Sequence, residues 1–123
     1  MKKQVGIFTT ELLNYLPTIQ IVAGTPIYLG DSNISHMKTS HPDDYQKYGT
    51  NIEQILAKPD YIGINKKDSS IEFVKEYLVD NEFVKVAVRI STQGTFYARS
   101  LYVLKNSRVE NFIKKGTLKK LTK

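Results

Sequence analysis

The chain has two histidines, His36 and His41, five residues apart in the segment His36-Met37-Lys38-Thr39-Ser40-His41-Pro42. An unperturbed imidazole titrates close to neutral pH, so these are the side chains best suited to general acid–base chemistry. Lys38 adds a cation between them, and Thr39 and Ser40 add hydroxyls. A zinc pair on a helix needs histidines four apart on one face. A spacing of five followed by Pro42 disfavours that arrangement, and a metal set of His36, His41 and Asp43 or Asp44 is the minor alternative. The bland alternative is that one histidine caps a helix and the other faces solvent.

The cations that such chemistry would need lie in the second half. Val84, Val86, Val88 and Ile90 alternate with Lys85, Ala87 and Arg89, which predicts a strand with Lys85 and Arg89 on one face. Gly94 marks a hairpin turn, with Thr95 beside it, before a second strand over residues 96–104. Pairing across that turn brings either Tyr97 and Arg99, or Phe96 and Ser100, next to Arg89; the register decides, and the sequence leaves it open. A face holding Lys85, Arg89, Arg99 and tyrosines would bind a phosphate and stack a base. A half-exposed sheet with its charges turned outward fits the same alternation.

Composition narrows the classes. At 123 residues, with 41% hydrophobic and 24% charged residues, the chain reads as one globular domain and not as a disordered one. The net charge of +6 is uneven: residues 1–60 hold five lysines and six carboxylates, whereas residues 61–123 hold thirteen lysines and arginines and six carboxylates. A basic half implies an acidic partner, nucleic acid being the commonest, although solvated lysines give the same sum. With no cysteine there is no disulfide, thiolate metal site or cysteine nucleophile. P-loop, GxGxxG, GxSxG and HExxH motifs are all absent, which removes the common nucleotide-binding, hydrolase and protease signatures. No apolar run suits a signal peptide or membrane span, so the expectation is a cytoplasmic protein with no membrane partner.

Several elements must position these groups. Thr9 or Thr10 can cap a short helix ended by Pro17. Residues 25–30 suit a short strand. Asp31, Ser32 or Asn33 can cap a helix carrying His36 and Met37. Ser40 or His41 can cap another helix starting at Pro42, with Asp43 and Asp44 at its positive end. Thr50-x-x-Glu53 and Ser107-x-x-Glu110 read as capping boxes for two more helices, the first ended by Pro59 and the second by Gly116. The expected fold is α+β: N-terminal helices packed on a four-stranded antiparallel sheet, with a short C-terminal helix.

His36, Met37, His41 and Pro42, then Ile52, Ile55, Leu56, Pro59, Asp60, Tyr61 and Ile62, then Phe73, Val86, Val88 and Tyr97-Ala98-Arg99-Ser100-Leu101-Tyr102 form a recognisable series. Over about residues 25–116 it resembles the phage-associated branch of the barnase–EndoU–colicin–RelE nuclease superfamily. The resemblance implies a nuclease domain over residues 25–123, with residues 1–24 as an accessory segment. It also implies a toxin or effector of phage or mobile-element type that cleaves RNA without a metal or other cofactor, by attack of the ribose 2′-OH on the adjacent phosphate. Neither later strand, 84–90 or 96–104, contains a glutamate to serve as a barnase-like base; Glu72, Glu76 and Glu82 lie earlier. Histidine chemistry is therefore the expected version. His36 is the candidate general base or acid and His41 the second candidate. Arg99, Ser100 and Tyr102 would stabilise or orient the phosphate or complete proton transfer. Lys38, Lys85 and Arg89 would supply charge, Thr95 would help orient the phosphate, and Tyr97 would stack a base. RNA is the implied partner, together with a cognate inhibitor protein. The rival is a non-catalytic RNA-binding or protein-interaction module on the same fold.

Overall fold

The computed structural model describes residues 1–122. Seven strands form one mixed sheet: β1 (Lys2–Ile7), β2 (Pro26–Gly30), β3 (Tyr61–Ile64), β4 (Ile71–Tyr77), β5 (Glu82–Ile90), β6 (Phe96–Leu104) and β7 (Leu118–Lys120). Their order across the sheet is β1-β2-β6-β5-β4-β3-β7. Every pairing is antiparallel except β2 with β6. The helices are α1 (Thr10–Leu13), α2 (Asp31–Ser40), α3 (Pro42–Tyr48), α4 (Ile52–Ala57) and α5 (Asn106–Lys114).

The expected four-stranded antiparallel sheet is thus replaced by a seven-stranded mixed one, and two strands precede most of the helices. Both edge strands, β1 and β7, are among those that escape sequence reading. β1 buries Val5 alone and β7 buries Leu118 alone; their other side chains are exposed or half-exposed and include lysines. An edge strand that faces solvent carries no run of apolar alternation, and lysine suits it because it discourages pairing with other chains. The segment 1–24 supplies β1 to the common sheet and Phe8, Leu12 and Leu16 to the main core.

One face of the sheet carries that core. Ile71, Phe73, Val84, Val86, Val88, Ala98 and Leu101 pack there against Leu12, Leu16, Met37, Tyr48, Ile52, Ile55 and Leu56 from the helices. The period-two alternation of β5 sends Lys85, Ala87 and Arg89 to the other face. There α5 covers only one end, where Val109 and Phe112 meet Val74, Leu104, Tyr61 and Phe83. Among the described residues no helix packs over the remainder of this second face.

β7 is held close because β3 offers no side chain at Gly63, where a Cβ would collide with the carbonyl oxygen of Thr117. Gly63→Ala should push β7 off the sheet and destabilise the protein by about 1–3 kcal/mol, the usual range for an overpacked site. Urea unfolding should show a lower midpoint; an unchanged midpoint would mean that β7 contributes nothing to stability.

Candidate functional site

The site begins where β2 leaves β6. The two strands share only the pairs Ile27–Phe96 and Tyr28–Tyr97, after which Gly30 opens α2. Asn33 accepts the Gly30 N–H through Oδ1 at 2.9 Å and so satisfies one donor at the helix start. Expectation put Asp31, Ser32 or Asn33 at the cap; Gly30 occupies that position instead. The outer edge of β6, released from β2, is covered by helices, and Asp44 on α3 accepts the Val103 N–H at 3.0 Å. Met37 is fully buried, which stabilises the fold by about 1.5–3 kcal/mol and fixes the rotation of α2. Ser32, Asn33 and His36, spaced i, i+1, i+4, then share a face directed toward the sheet's open side.

Register completes the site. Arg89 faces Tyr97, and Ala87 faces Ser100, but Ala98 faces Val88, so Arg99 is an extra residue in a bulge. A bulge bends its strand and re-aims a side chain. Arg99 and Ser100 consequently both line one cleft of about 430 Å3, together with Ser32, Asn33, His36, Asp68, Ala87 and Arg89. A shallower extension runs past Arg99 to Tyr97 and Lys2. At that end Tyr28 and Tyr97 lie 6.4 Å apart between centroids, with Lys2 Nζ 4.4 Å from the Tyr28 ring.

The cleft is positively charged. Arg89 and Arg99 are exposed, and neither forms an ion pair among the described residues. Asp68 is the one carboxylate in the lining. The Ser70 backbone N–H, donated at 3.0 Å, holds its pKa below the ordinary value, helped by the Ser70 hydroxyl and the charges of Arg89 and Lys85. His36 is exposed, with Nδ1 3.4 Å from Ser40 Oγ. Among the described residues no three of His, Cys, Asp and Glu gather into a metal-binding group.

Of the expected site residues, His36, Arg89, Arg99 and Ser100 come together here, and Tyr97 lines the extension. The others lie elsewhere. Lys38 lies 5.8 Å from the Tyr45 ring on the exposed side of α2. Thr95 belongs to the β5–β6 turn, where its N–H donates to Ser91 Oγ. His41 occupies the cap position of α3 but makes no side-chain cap bond; its ring stacks on Tyr102 at 4.7 Å. Tyr102 and Lys85 line a neighbouring pocket.

Lys85 shares a face with Arg89, as alternation predicts, yet it is buried and bonded to Glu72 at 2.8 Å. Burial opposes its charge, but the bonds to Glu72 and the Tyr102 hydroxyl outweigh that and raise its pKa. Lys85→Met would leave Glu72 buried without its cation and should cost about 3–5 kcal/mol, which lowers the melting temperature by roughly 10–20 °C. Adding Glu72→Leu should recover most of that loss; failure to recover would show that the pair does more than neutralise itself.

Sequence reading missed Asp68, Ser32 and Asn33 as cleft residues. The turn composition of Asn65–Ser70 between two apolar segments was the available signal for Asp68.

The protein-family model for phage-Barnase-EndoU-ColicinE5/D-RelE like nuclease 3 matches residues 3–111. The chain belongs to this family. It is therefore a phage-associated nuclease-like domain, and nucleic acid is the substrate class that the family name indicates. The family match takes in β1 from Lys3 onward and every residue of the cleft. No curated protein and no solved structure matches the chain. No helix among the described residues is long and apolar enough to cross a membrane.

Proposed function

We propose that this family member is an endoribonuclease that cleaves RNA by transfer of the ribose 2′-oxygen to the adjacent phosphorus. A base takes the 2′ proton as the O2′–P bond forms. The P–O5′ bond breaks, an acid protonates the departing O5′, and the products are a 2′,3′-cyclic phosphate and a free 5′-hydroxyl. His36 serves as base or acid. Arg89 and Arg99 hold the phosphate and stabilise the charge that builds on its oxygens. Ser100 orients the phosphate through its hydroxyl, and Tyr97 stacks a flanking base in the extension. Asp68 adds a negative charge near Arg89 without pairing with it among the described residues. His41 and Tyr102, stacked beside the cleft, are the second proton-transfer candidates.

The single observation carrying this reading is that one imidazole, two guanidiniums with no ion pair among the described residues, and the Ser100 hydroxyl line the same cleft. The two arginines supply the positive charge that a phosphoryl transition state needs, so a metal-independent reaction is the version proposed. The natural setting proposed is that of a toxin or effector with a cognate inhibitor protein. Incubation with single-stranded RNA in EDTA should yield cyclic-phosphate ends, and a single 2′-deoxy substitution should protect the bond 3′ to it. An intact RNA, or equal cleavage of the 2′-deoxy strand, would reject the proposal.

A second reading has its own support. No carboxylate is bonded to His36 among the described residues, so its only polar side-chain partner is Ser40. The same cleft would then bind RNA without cutting it, and salt-sensitive binding with no cleavage would favour that reading.

A further inference from the structure

A second pocket, of about 270 Å3, adjoins the His36 cleft along β5 and β6. Lys66 and Lys67 reach it from the β3–β4 turn, Arg108 and Phe112 from α5, and Tyr102 from β6. Lys85 and Glu72 also line it, but their charges cancel through the 2.8 Å ion pair. Lys66, Lys67 and Arg108 remain, and none of the three forms an ion pair among the described residues. Arg108 lies 5.6 Å from the Phe112 ring centroid. The His36 cleft, by contrast, sets Asp68 against its two arginines. The stronger positive field therefore belongs to the second pocket, whose lining does not include His36.

The two pockets are in step with a polynucleotide. Ala87 and Ser100 line the first, and Lys85 and Tyr102, two residues along the same strands, line the second. Two residues of strand span about 7 Å, comparable to one nucleotide step. The β3–β4 turn that carries the lysines is bonded to itself: Asn65 Oδ1 accepts the Lys67 N–H at 2.9 Å, and the Asn65 N–H donates to the Ser70 carbonyl at 2.8 Å. The lysines thus project from a fixed base.

We propose that this pocket binds the phosphate of the neighbouring nucleotide, so that a single RNA strand lies across β5 and β6 from Arg89 and Arg99 to Lys66, Lys67 and Arg108. The inference rests on the ribonuclease reading and extends it: the substrate is an oligonucleotide held at two successive phosphates, not an isolated dinucleotide.

The probes are a 2′-O-methyl hexanucleotide and a 2′-O-methyl dinucleotide, which have no free 2′-OH for the attack. Both would be titrated by fluorescence anisotropy over a range of salt. In the K66S/K67S variant the slope of log affinity against log salt for the hexanucleotide should shrink by about 0.7, the share of one phosphate. The advantage of the hexanucleotide over the dinucleotide should fall about tenfold, and further in K66E/K67E. Both lysines are exposed and the turn's bonds use backbone, Asn65 and Asp68 atoms, so these variants keep the turn. An unchanged slope and an unchanged advantage would overturn the two-phosphate inference and leave the ribonuclease reading standing. If the unaltered protein neither binds the hexanucleotide at low salt nor cleaves unmodified RNA, the ribonuclease reading falls, and the inference with it.

Discussion

Replacing His36 with alanine should slow RNA cleavage by about 10²–10⁴-fold, the usual worth of one positioned proton-transfer group. The loss should fall on kcat. Arg89 and Arg99 still line the cleft in that variant, so KM should move little. Stability should change by less than about 0.5 kcal/mol, because His36 is exposed and its one side-chain partner among the described residues is Ser40 at 3.4 Å. That separation makes the experiment clean: a folded, RNA-binding, inactive protein is the expected product. Any toxicity seen on expression should vanish with the same substitution. A cleavage rate within threefold of the parent would remove His36 from the mechanism and shift attention to His41 and Tyr102.

Arg99→Ala should lower kcat by about 10²–10³-fold, comparable to removing one preorganised donor from a developing oxyanion. Arg99 sits in the bulge of β6, is exposed, and has no ion-pair partner among the described residues, so its removal should leave the fold intact. Arg99→Lys separates charge from geometry. A lysine keeps the positive charge but loses the planar fork that grips two phosphate oxygens, so it should restore RNA affinity more fully than rate. Arg89→Ala should behave similarly, with the added effect of removing one of the cations that offset Asp68 in the cleft. If Arg99→Ala and Arg89→Ala both leave kcat unchanged and alter only the salt dependence of binding, the arginines track the strand and do not stabilise the reacting phosphate.

The two histidines show how far local pattern carries and where it stops. Pro42 does start α3, as chain chemistry alone predicts, and of the two cap candidates, Ser40 and His41, it is His41 that takes the cap position. Yet the cap position does not use the ring, which stacks on Tyr102 from β6. That contact joins residues about sixty positions apart, and no local rule contains it. Lys85 makes the same point about charge. Alternation correctly set it on the face of Arg89, but only the neighbouring strand β4 brings Glu72 to within 2.8 Å and takes its charge out of play.

Sequence by itself determined the family resemblance, the basic second half, the strands β2, β5 and β6 and the helical setting of His36. Each depends on short-range periodicity, proline and glycine placement, or composition, which one sequence displays directly. Only the tertiary structure decided the extent of the sheet and the make-up of the cleft. Edge strands β1 and β7 bury one side chain each, so their identity comes from the partners they meet. The bulge at Arg99 resolves the open choice of register by bringing Tyr97 opposite Arg89 while turning both Arg99 and Ser100 into the cleft. A one-residue slip in pairing reverses which face a side chain occupies, and pairing is a property of two strands, not of either sequence alone.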